Sequence, residues 1–174
     1  MNTLELAPNA AVAICDSHVE AQEAIERLCQ AGFDAAKMSV AGGEEHSPGR
    51  LFGCYGEQGR VAHRGSSGAF WTGLWERLSG WALFAGSESG PILIAGPLAG
   101  WVAAALDNEP IFGGLSAFAA GLYSLGIPRD AVRTYEEAVR AGKFLVMFHG
   151  TASELAGVGD ALRHMAARNH RRSG

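Results

Sequence analysis

The chain has 174 residues, 48% of them hydrophobic and only 18% charged, with a formal net charge of −4 and a pI near 5.8. That length suits one domain, or one domain carrying a large insertion, and is enough to bury a core. The charged share lies below the usual quarter, which implies a small solvated surface, and the acidic balance argues against a general nucleic-acid binder.

Residues 1–10 read as a loose start. "MNTLELAPNA" carries neither the basic region nor the apolar core of a signal peptide. Cys15, Cys29 and Cys54 are an odd number at no framework spacing, which points to free thiols in a reducing cytoplasm. "AVAIC" (11–15) is short, apolar and bounded by polar residues, the signature of a buried strand. In the next segment Ser17 and Glu20 form a capping box. Ala21, Ala24, Ile25, Leu28 and Cys29 then follow the rhythm of a buried helical face, and Gly32 closes the helix. "AAKMSVA" (35–41) is the expected second strand, 42–50 a loop, and "LFGCYGE" (51–57) a third strand weakened by its glycines.

After a polar linker the character changes between Ala69 and Leu125. Phe70, Leu74, Trp75, Leu78 and Trp81 fall on one helical stripe. "PILIAGPLAGWVAAAL" (91–106) and "PIFGGLSAFAAGLYSLG" (110–126) carry no charge, and both are expected to be helical. Small residues recur through them, at Gly96 and Gly100, at Gly113, Gly114 and Ala117, and at Ala120 and Gly121. Such faces let helix backbones approach closely.

The stretch "GIPRDAVRTYEEAVRAGKFLVMFHGTASE" (126–154) is fully punctuated. Pro128 suits the first turn of a helix, and Asp130 complements its positive end. Ile127, Ala131, Val132, Tyr135, Ala138 and Val139 form its apolar face, and Gly142 ends it. "KFLVMFH" (143–149) reads as a central strand. Thr151 with Glu154 opens a last helix that turns Leu155, Val158, Leu162 and Met165 inward.

The expected fold is therefore α+β. It is a ferredoxin-like βαββαβ sheet with helices on one face, a Gly/Ala/Trp-rich helical insertion between the third strand and the second helix, and a C-terminal helix. A single domain spans 1–174. Residues 11–57 and 127–167 make the αβ half, 66–126 the insertion and 168–174 a basic tail. In such a sheet the last strand pairs antiparallel with the first, setting Cys15 beside Lys143 and His149 near Ala10 and Ala11.

On "GAFWTGLW" (68–75), "GPILIAGPLAGWVAAAL" (90–106) and the "GIP…YE…GKFLV…HG" series within 113–154, the chain resembles a bacterial family of uncharacterised proteins related to heat-induced general stress proteins, some of them labelled permease-like. The resemblance covers roughly residues 11–165. It implies a ferredoxin-like half joined to a Gly-rich hydrophobic segment, a stress-response or membrane-associated setting, and no catalytic residues to carry over. "LDNEPIFGG" departs from the pattern: Asp107 and Glu109 stand where such proteins are more uniformly apolar, which argues against a continuous membrane span.

No motif carries a reaction. Cys15 and His18 are two ligands, short of a zinc set. "RGSSGAF" lacks the G-x-S-x-G elbow, and "GCYGEQG" lacks the Lys-Ser/Thr of a phosphate loop. His149, Gly150 and Thr151 are weak anion-site candidates at a helix start, although capping already accounts for Thr151. The Arg-rich end suits a helix C-terminus. Residues 91–106 fall short of the ~20 apolar residues of a spanning helix.

The expectation is a cytoplasmic, non-enzymatic, stress-associated protein without metal or cofactor. It self-assembles through Phe70, Trp71, Trp75, Trp81, Gly96 and Gly100, together with Trp101, Gly113, Gly114, Ala117 and Gly121. Its partner is itself, with no nucleic acid. The first alternative embeds the same insertion in the inner membrane, against lipid or a membrane protein. The second is a sensor with an apolar ligand enclosed by Phe70, Trp101 or Phe118.

Overall fold

A computed structural model describes residues 3–43, 68–78, 82–87, 90–107 and 116–172. The strand expected at 51–57 lies outside the described residues, as do Trp81, Gly113 and Gly114.

The strands are β1 (Thr3–Leu6), β2 (Ala10–Cys15), β3 (Met38–Gly43), β4 (Ala82–Ser87), β5 (Gly90–Ala95) and β6 (Phe144–His149). The helices are α1 (His18–Gln30), α2 (Gly68–Arg77), α3 (Leu98–Asp107), α4 (Ala117–Ser124), α5 (Arg129–Arg140) and α6 (Ala152–Arg172). A 3-10 turn, Ala35–Lys37, leads into β3.

Local rules account for most boundaries. Ser17 Oγ accepts from the Glu20 backbone N–H at 3.2 Å and caps α1. The Glu20 carboxylate reaches back to the N–H of Asp16. Helix α1 ends at Gly32 (φ 87°), where the Gly32 N–H bonds to the Cys29 carbonyl and the Phe33 N–H to that of Leu28. The same paired bonds close α4 at Gly126 and α5 at Gly142. Two details differ from expectation. Pro128 caps α5 instead of entering its first turn, and Cys29 points to solvent.

The strands form one sheet in the order β1-β2-β6-β3-β5-β4, and every neighbouring pair is antiparallel. Cys15 lies opposite Phe144 and His149 opposite Ala10, within one residue of the expected register. The fold is α+β, but the strand order is not ferredoxin-like. A ferredoxin-like sheet has the first and third strands of its βαββαβ run at the centre. Here the second (β3) and the last (β6) hold the middle.

The helices also occupy both faces of the sheet, not one. Along β2, Ala11, Ala13 and Cys15 join α1, α2 and α6 in one core, while Val12 and Ile14 join α3, α4 and α5 in the other. Cover on both sides explains why "AAVAIC" and the first five residues of β6, "FLVMF", are apolar throughout, since an antiparallel sheet with one wet face would alternate. It also fixes the hand of the crossovers. The step β2-α1-β3 passes over β6, and the step from β5 to β6 through α3–α5 passes over β3. An in-plane half turn relates the two steps, so helices on opposite faces give them opposite hands.

The insertion is not wholly helical. "ALFAGS" and "GPILIA" are strands that extend the sheet beyond β3, and the loose start contributes β1 at the far edge. The apolar run 91–106 is broken at Gly96, whose φ of 93° excludes most side chains and where a Cβ would collide with the Met38 carbonyl oxygen. Ser39, 2% exposed, accepts from the Leu98 N–H at 3.0 Å and so caps α3 from a strand 59 positions upstream.

Candidate functional site

Among the described residues, several chemically able side chains come together where β6 runs into α6. His149 ends β6 half-buried. Its ring meets the Trp101 ring of α3 edge-on, with centroids 5.1 Å apart and planes at 89°. Burial lowers the pKa of His149, the strongest influence on it; a hydrogen bond to the Lys37 backbone opposes this, and the Lys37 ammonium adds to it. The imidazole is therefore neutral at pH 7.

Beyond His149 the Gly150 N–H donates to the Asn9 carbonyl at 3.1 Å, tying the junction to the start of β2. Thr151 and Glu154 form the expected capping box. The Thr151 N–H donates to Glu154 Oε2 at 2.8 Å, and the Glu154 N–H donates to Thr151 Oγ1 at 3.4 Å. Lys37 Nζ holds the other carboxylate oxygen at 2.7 Å. The Lys37 hydrogen bond, followed by that from the Thr151 N–H, pulls the Glu154 pKa down to about 2. The anion-site candidates His149, Gly150 and Thr151 are thus brought together, but the Glu154 carboxylate already sits on the helix start. An incoming anion would have to displace it against its charge.

The remaining candidates are placed as follows. Cys15 is fully buried, and burial pushes its thiol up to about 12. His18 packs its ring against Phe70 and Phe144, at 5.7 and 6.4 Å. Among the described residues no three His, Cys, Asp or Glu side chains gather to hold a metal ion.

Of the interface residues, Phe70 and Trp71 are 8% and 1% exposed and belong to the core under α1. Gly96 is consumed by its turn. Gly121 is buried against α3, where a Cβ would stand 2.5 Å from Val102 Cγ2. These four are used inside one chain, so the close approach expected between subunits occurs between α3 and α4. Ala117 and Trp101 are half-buried, and Gly100 is exposed, with nothing within 4 Å of a Cβ placed there. Trp75 lies in α2.

Phe70, Trp101 and Phe118 do not share one core. Phe70 belongs to one core, whereas Phe118 and the packed part of Trp101 belong to the other, across the sheet. An open cleft of about 480 Å³ lies instead between α1 and α2, lined by Glu26, Cys29, Gln30, Ala35 and Arg77. No helix among the described residues is long and apolar enough to cross a membrane. With 10 residues, α3 is about 15 Å long, half a hydrocarbon core.

Sequence reasoning kept Trp101 and His149 in separate groups, and it passed over Lys37. A basic residue just ahead of a strand carried no signal, because its partner Glu154 lies 117 positions away.

Compared with known protein families, with curated proteins and with solved structures, the chain matches none.

Proposed function

We propose that this is a non-enzymatic interaction protein that self-assembles through the outward face of its glycine-rich half, with α3 as the contact. One observation carries the reading. Helix α3 exposes Gly100 and Ala104, one turn apart, flanked by half-buried Trp101 and Ala103, and its sequence holds no polar residue before Asp107. A helix that is apolar all round belongs in an interior. Small residues one turn apart allow a second helix to come close, and a two-fold contact would bring the stripe against its own copy. The stress-response role rests on the sequence resemblance alone. A cytoplasmic setting rests on the free thiols.

The test is the mass of the full chain in solution, by light scattering over a range of concentrations. Self-assembly predicts a multiple of 18.2 kDa for the natural chain and 18.2 kDa for Gly100→Leu and Ala104→Arg, with circular dichroism unchanged. A natural chain at 18.2 kDa throughout rejects the reading.

The same uncharged stripe, with Trp101 at its side, favours one second reading. The face would rest in a bilayer interface without spanning it, as part of a membrane-associated accessory module. Co-flotation with vesicles decides: retention favours lipid, and a defined oligomer that stays behind favours self-assembly.

A further inference from the structure

We draw no further inference here: the strongest candidate, the open cleft between α1 and α2 that Cys29 lines together with Glu26 and Arg77, rests on a lone cysteine, since the two charged side chains pair with each other and nothing in the structure points to a ligand between them.

Discussion

The Tyr135 hydroxyl donates to Glu5 Oε2 at 2.6 Å, joining α5 to β1 across 130 positions of sequence. Tyr135 is 1% exposed, whereas Glu5 lies at the surface, so the bond forms at the rim of the core under α5. Burial, followed by the hydrogen bond to Glu5, keeps the phenol protonated and donating at any ordinary pH. A stretch that reads as a loose start is thereby fixed as the edge strand. Tyr135→Phe should cost about 1.5–3 kcal/mol, the range for a hydrogen bond to a charged group. Urea unfolding checks the loss, and hydrogen exchange at Leu4 to Leu6 should rise with it.

Gly121 and Gly100 look alike in sequence and should behave oppositely. Gly121→Leu drives a side chain into Val102 and should destabilise the fold by at least about 1–3 kcal/mol, the usual cost of overpacking. Gly100→Leu enters open space on a helix where glycine is a poor residue, so at dilutions where the natural chain is also monomeric it should leave stability unchanged or raise it by up to about 1 kcal/mol. Thermal unfolding of the two variants side by side is the measurement. A Gly100→Leu chain as unstable as Gly121→Leu would contradict the exposed placement of Gly100.

Glu154 should make the fold acid-sensitive in a defined window. Its folded pKa, about 2, lies below its ordinary 4.5, so the unfolded chain binds the proton more readily. The contribution is fully present above pH 4.5 and is lost as the pH falls toward 2. The stability gap between the natural chain and Glu154→Gln should follow that course in urea titrations at stepped pH. A gap independent of pH would remove the Lys37–Glu154 pair as its cause.

The thiols Cys15 and Cys29 should separate by reactivity. Cys29 is exposed on α1, while Cys15 is buried and its thiol is held protonated up to about pH 12. Iodoacetamide on the native chain, read by peptide mass mapping, should label Cys29 and leave Cys15 intact until denaturant is added. Native labelling of Cys15 at a comparable rate would mean that β2 opens far more readily than a central strand should.

Much of the fold was legible because its causes are short-ranged. The cap of Ser17 on Glu20, the Thr151–Glu154 box, the turns at Gly32 and Gly142, and the α5 face of Val132, Tyr135 and Val139 each involve residues within a few positions of one another. The candidate site was legible only in part. His149, Gly150 and Thr151 were marked as a helix start, but nothing in their neighbourhood names Lys37 or Trp101. The glycine-rich half misled for a different reason. "PILIA" is a short apolar run that suits a buried strand as well as a buried helix, and the choice depends on whether β3 offers it an open edge.

By itself, then, the sequence determined where α1 and α5 start and stop, where α6 starts, and which faces of these helices are apolar. Those outcomes follow from backbone groups that must be satisfied locally and from the period of the helix. Only the tertiary structure decided that β6 enters between β2 and β3, that Ser39 caps α3, that Gly121 is spent inside the chain while Gly100 faces out, and that Trp101 meets His149. Each of these depends on which surfaces cover which, and two buried faces of one sheet look the same from within a single strand.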